Sequence, residues 1–247
     1  MFKTTRGLIL REVKYKEADR IITVLTDDMG KLSAKARGAL RKGSKLSAAT
    51  QSLVFSELTM FENRGKWSVN EGSTLEEFKG LRGSLSALAL ASYIAECTEA
   101  LTGEETPEPQ ILQLALNCLF ALSNEMYPEE HIKAAFELRL MRLAGYEPDL
   151  SACSVCGGHE TPEMYFLPSE GRICCSECRK KLSGSFFAVG DAALDAMRYI
   201  LTAEPKRLLA FALPETARKE LYRATEAYLT AQTERRFSTL DYWKKVK

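Results

Sequence analysis

The sequence predicts a two-part α+β protein: a small β-barrel over residues 1–80, then an α-helical domain over 81–247 with a metal-binding loop element at about 149–185. Three observations carry this reading. Short β-rich runs separated by turn residues fill the first 80 positions, apolar residues recur at helical spacing after Gly80, and five of the seven cysteines crowd into one loop-like stretch.

The strands come first. LILREV (8–13) and RIITVLT (20–26) are short and β-rich. Asp27-Asp28-Met29-Gly30 reads as a turn, with Gly30 free to take a positive φ. KLSAKAR (31–37) alternates: Leu32, Ala34 and Ala36 point one way, and Lys31, Ser33, Lys35 and Arg37 the other. LVFSELTMF (53–61), the turn Asn63-Arg64-Gly65 and WSVNE (67–71) make a further hairpin. Five strands in under 80 residues, with tight turns and one longer loop, match an OB-fold.

Helical periodicity follows at 81–101, 109–126 and 129–146, and again at roughly 190–203 and 214–235. Pro107, Pro109 and Pro128 stand near helix starts, and Gly145 follows the third helix.

Cys153-x2-Cys156 and Cys175-x2-Cys178 are paired knuckles, the spacing of a structural zinc: two tight turns each present two thiolates, and four thiolates close a tetrahedron. Free thiols or a site that has lost its metal are the alternatives. Cys174 competes with Cys175 for the third position, and His159 is a further potential ligand, although Cys175 restores the x2 spacing. Four thiolates leave no open position for water, so such a zinc would be structural. Cys97 and Cys118 lie on apolar helical faces and read as core.

The formal net charge of +1 conceals an asymmetry. Residues 1–50 hold twelve Lys and Arg against five Asp and Glu; the rest holds 22 against 28. A basic end on a near-neutral chain suits a polyanion. Within it, residues 31–45 contain Lys31, Lys35, Arg37, Arg41, Lys42 and Lys45 and no acid. Such a surface neutralises phosphates without reading sequence. Tyr15, Phe61 and Trp67 could stack on bases or fill the barrel.

Catalytic signatures do not appear. Gly38-x4-Gly43-Ser44-Lys45 mimics a phosphate loop, but it reverses the Lys-Ser/Thr order and no helix follows. Two histidines, no HExxH, no GxSxG and no GxGxxG leave no catalytic residues to nominate. No apolar run reaches the roughly 20 residues of a membrane span. The N-terminus has neither the apolar core nor the cleavage site of a signal peptide, so a cytoplasmic, nucleoid-associated protein without membrane contact is expected.

Several stretches together resemble the RecO family of bacterial DNA repair and recombination proteins. They are RGLILREVKYKEADRIITVLTDDMGKLSAKARGALR, ASYIAECTEAL, FELRLMRLAGYEPDLSACSVCG and GRICCSEC. The resemblance implies an N-terminal OB-fold, a helical domain and, in many members, a zinc element. It also implies binding of single- and double-stranded DNA and annealing of complementary strands without ATP. The partners it implies are RecR, RecF in some settings and, indirectly, RecA, which is loaded on strands covered by single-stranded-DNA-binding protein (SSB). It further suggests that the helical domain receives the acidic, hydrophobic C-terminal tail of SSB. The helix at 131–144 offers Arg139 and Arg142 beside Phe136, Leu140 and Leu143 for such a peptide.

Three other classes stand beside this one. A zinc-ribbon transcription factor would prefer one duplex sequence. An enzyme using the thiolates or zinc, such as a deaminase or nuclease, is another; the missing H-x-E partner to the cysteines argues against a zinc deaminase. A pure scaffold would bind protein, not DNA, through its barrel.

Overall fold

The computed structural model describes residues 1–158 and 163–247, which form two compact units: 1–126 with 237–247, and 127–236. The first unit is built on a closed barrel of β1 (Phe2–Tyr15), β2 (Asp19–Thr26), β3 (Gly30–Ala36), β4 (Phe55–Asn63) and β5 (Lys66–Glu76), in the order β1-β2-β3-β5-β4. A short helix, α1 (Leu46–Ala49), connects β3 to β4; it starts directly after Lys45, where the sequence led us to expect none, so the reversed Ser44-Lys45 order alone sets this stretch apart from a phosphate loop. The ladders are antiparallel except between β3 and β5, which run parallel and close the barrel. This is the OB arrangement.

Alternation builds the interior. Leu32, Ala34 and Ala36 of β3 join Ile9, Ile22, Val24, Leu58, Met60 and Val69 in one buried cluster. Gly30 closes the β2–β3 turn at φ +73°, and a Cβ there would sit 2.4 Å from the backbone of Thr106. Only glycine meets both demands. A bulge between Ile9 and Arg11 shifts the register of β1 against β2. The exposed positions of β1 accordingly pass from Phe2, Thr4 and Arg6 to Arg11 and then Val13, Lys14 and Tyr15.

Two helices complete this unit's middle, α2 (Leu85–Leu101) and α3 (Pro109–Ser123). Ser84 caps α2 by accepting the Ala87 N–H at 3.2 Å. The barrel grips α2 at its far end. Lys31 Nζ donates to the carbonyls of Glu99 and Thr102 at 2.6 and 2.7 Å, and Arg11 Nη2 pairs with Glu99 at 2.9 Å. A cation there satisfies carbonyls that a helix C-terminus leaves open. The change from strand to helix falls near residue 80, but the compact unit runs on past it, because these contacts bind α2 to the barrel.

The second unit contains α4 (Glu129–Leu143), β6 (Asp149–Cys153), β7 (Met164–Leu167), β8 (Arg172–Cys175), α5 (Ser176–Arg179), β9 (Phe187–Val189), α6 (Asp191–Thr202) and α7 (Glu215–Thr233). The cysteine-rich stretch, expected as a loop, contains most of a small sheet of order β6-β8-β7-β9. Its strands are three to five residues long, too short for alternation to register in the sequence. The chain then returns to the first unit as α8 (Ser238–Val246), which the sequence reading did not anticipate. Phe237 meets Tyr93 of α2 edge to face at 5.7 Å, and Glu96 of α2 accepts the hydroxyl of Thr239.

Helix α4 is the core of the second unit, with every residue from His131 to Leu138 buried. His131 is a core residue, stacked between Tyr127 and Phe211 and bonded to the Leu209 carbonyl at 3.1 Å. Lys133 is enclosed too, with its Nζ 2.7 Å from Glu137 and 2.9 Å from Glu226. Burial works against its charge, but the two carboxylates outweigh that and hold the ammonium above the usual lysine range. Glu137 also accepts the Thr225 hydroxyl at 2.8 Å. Replacing Lys133 with Met would strand the fully buried Glu137 carboxylate. Lys133→Met should cost about 3–5 kcal/mol in chemical denaturation. The double change Lys133→Met with Glu137→Met should recover most of it.

Candidate metal centre and nucleic-acid interface

The two cysteine knuckles meet in the small sheet. Cys153 ends β6, Cys156 lies in the turn after it, Cys175 ends β8 and Cys178 sits in α5. Their four sulfurs all lie within 4.8 Å of one another, with Cys156 and Cys175 Sγ 4.0 Å apart. A tetrahedral zinc with bonds near 2.3 Å sets its sulfurs about 3.8 Å apart, so the donor set fits a metal of that size. The backbone supports thiolates here. Cys175 N–H donates to Cys153 Sγ, and Cys178 N–H to Cys175 Sγ, each at 3.4 Å. Burial raises the Cys153 thiol, but N–H groups of Cys156, Cys175 and Val155 outweigh it and bring it down to about 6.

Strand alternation sends the neighbouring cysteines to opposite sides. Cys175 turns into the cluster. Cys174 is fully enclosed outside it, and burial pushes its thiol up to about 11. His159 lies outside the described residues. Cys97 and Cys118 are buried in α2 and α3.

The basic residues divide by what they touch. Lys31 and Lys35 share the outward side of β3, as its alternation requires, whereas Arg37, expected on the same face, lies in the turn just after the strand's last residue, Ala36. Lys31, however, is half-buried against the end of α2 and already satisfies two carbonyls there. Lys35 pairs with Asp19 at 2.9 Å, and Asp19 also accepts the Gly38 N–H at 2.8 Å. That N–H, followed by the Lys35 pairing, holds the Asp19 carboxyl below the usual range. Arg37, Arg41, Lys42 and Lys45 are exposed, and none has an ion pair among the described residues. The sequence reading missed Asp19. Its signal was the tight β1–β2 connection, which sets Asp19 opposite Tyr15.

Of the three aromatics, Trp67 packs on the barrel core and Phe61 pairs with Phe2 at 4.9 Å, while Tyr15 stays exposed. The pair on α4 fares differently from the expectation. Arg139 donates to the carbonyls of Ile200 and Ala203 at the end of α6, and Arg142 pairs with Glu147 at 3.3 Å. Phe136 and Leu140, expected to line a groove beside them, are fully enclosed because α4 is packed by α6 and α7.

Two family profiles match this chain. One, described as Recombination protein O N terminal, covers residues 1–78; the other, Recombination protein O C terminal, covers 82–241. The chain belongs to the RecO family. Among its relatives named DNA repair protein RecO, that of Acetivibrio thermocellus is 33% identical over 240 residues, 97% of this chain and 95% of the relative. That of Symbiobacterium thermophilum is 30% identical over 239 residues, 96% and 94% of the two chains. The protein of Alkaliphilus metalliredigens is 28% identical over the full 247 residues of this chain and all of its own. The names of these relatives place the family in DNA repair. No helix among the described residues is long and apolar enough to cross a membrane.

The cysteine geometry makes a sharp distinction between neighbours. Cys174→Ala should keep one bound metal per chain by elemental analysis, whereas Cys175→Ala should lose it. The second variant should also melt earlier, since binding energy at such a site is folding energy.

Proposed function

We propose that this RecO-family chain binds single- and double-stranded DNA through the outer side of β3 and the loop that follows, and anneals complementary strands without ATP. In this reading it also works with RecR, and with RecF in some settings, to load RecA on strands covered by SSB. The observation that carries the DNA-binding part is the continuity of cations: Lys35 on the outer face of β3, then exposed Arg37, Arg41, Lys42 and Lys45 in the turn and loop that follow. The names of the relatives point the same way, toward DNA repair.

Annealing asks for little chemistry. Two strands repel through their phosphates. A cationic surface that holds both lowers the repulsion and raises their local concentration. Weak readout of bases leaves them free to pair. Lys31 is a lesser contributor, since its ammonium caps α2. The metal of the cysteine cluster is zinc in this reading, on the strength of the all-thiolate donor set. It would hold the two knuckles together; Cys153, Cys156, Cys175 and Cys178 would fill its coordination. For the SSB tail, Arg142 and Leu143, both half-buried at the end of α4, remain as candidates, while Arg139 is engaged with α6.

Changing Lys35, Arg37 and Arg41 together to Ala tests the interface. Affinity should fall for single strands and duplexes of any sequence. The slope of log affinity against log salt should become shallower by roughly two to three units. Annealing should slow in parallel, with metal content and melting temperature near wild type. Unchanged binding in the folded variant would refute the assignment to this face.

A further inference from the structure

We propose that Tyr15 and Val13 form a base-stacking strip beside the cationic face, which makes the barrel prefer unpaired nucleotides to duplex. The proposal rests on the DNA-binding reading above and adds the part of the ligand that phosphate contacts ignore. The β1 bulge is its structural origin. Beyond the bulge Val13 and Tyr15 point outward, 47% and 39% exposed. Cross-strand register then fixes their neighbours. Val13 pairs with Ile21, and Ile21 with Lys35; Tyr15 pairs with Asp19. The outward residues therefore form an apolar strip of Val13, half-buried Ile21 and Tyr15, with Lys35 on the adjoining strand.

The ring is flanked by charge. Lys35 Nζ lies 4.8 Å and Lys16 Nζ 5.6 Å from the Tyr15 centroid. Asp19 holds Lys35 in place at 2.9 Å. Phe61 is paired with Phe2 and Trp67 packs on the core, whereas the Tyr15 ring is met by the two ammoniums. A partly exposed ring with two cations close to it is complementary to a ligand with a flat face and anionic links, which is a nucleotide chain. A carboxylate-rich peptide would satisfy the cations but leave the ring unused.

Spacing argues for unpaired bases. Residues two apart on a strand are separated by about 6.8 Å, twice the roughly 3.4 Å axial step per nucleotide of one duplex strand. Bases stacked at the duplex step cannot offer faces to both Tyr15 and Val13. Bases of an extended single strand can.

Fluorescence anisotropy would test this with three labelled probes: an oligothymidylate, an abasic strand of equal length, and a duplex of equal length. Tyr15→Ala in the full chain should weaken oligothymidylate binding by about tenfold or more. It should leave the abasic strand, the duplex and the salt slope near wild type. Tyr15→Phe should restore binding and Tyr15→Leu should not. Circular dichroism melting checks that each variant is folded. Equal loss on the abasic strand would mean that the ring only positions Lys35, and would overturn the stacking role. Unchanged oligothymidylate binding would overturn it as well, as would a Tyr15-dependent complex with polyglutamate that oligothymidylate cannot displace. The Lys35, Arg37 and Arg41 triple variant in the same series separates the two readings. If it loses DNA and Tyr15→Ala does not, only the stacking proposal fails; if neither loses DNA, the DNA-binding reading fails.

Discussion

Closure of the barrel depends on a parallel ladder only three pairs long, Ala34 with Trp67, Lys35 with Ser68 and Ala36 with Val69. Every other seam is a longer antiparallel ladder. The short seam holds because β3 presents alanines inward at Ala34 and Ala36, which let the facing strands approach, and Trp67 packs over the join. The same alternation that sends those alanines in sends Lys35 out. The strand that shuts the barrel is therefore the strand that carries its charge, and neither role can be altered by a register slip without losing the other.

That coupling explains why so much of the first unit could be read from the residues. The alternation in 31–37, the glycine at the β2–β3 turn and the hairpin at 63–65 each reflect local rules, and the strands sit where those rules put them. The paired cysteine spacing is local too, and its four sulfurs converge. What escaped reading was set by tertiary contacts. The four strands around the cysteines are too short to show a period. Helix α8 has a polar, charged end, and its reason for existing is the packing of Trp243 and Leu240 in the first unit. The β1 bulge has no compositional mark, yet it decides that Tyr15 and not Glu12 faces out.

Cation counts from the sequence were also a poor measure of available charge. Lys31 caps a helix, Lys133 sits in a buried network, Arg139 caps α6 and Arg20 reaches the Ser47 carbonyl inside the barrel at 2.8 Å. Each cation is committed because a helix end, a buried carboxylate or a loop carbonyl needs a donor. Arg37, Arg41, Lys42 and Lys45 lie exposed after β3 and make no ion pair among the described residues.

The return of α8 has a consequence for how the molecule is made. The first compact unit needs residues 237–247 as well as 1–126, so it can be completed only after 127–236 has been made. The barrel and α2 must wait, with the α2 surface that will meet Phe237 and Thr239 uncovered, while the whole of 127–236 is synthesised. At about 5–20 residues per second that interval lasts on the order of ten seconds. A fragment ending at residue 126 would thus be missing part of its own core.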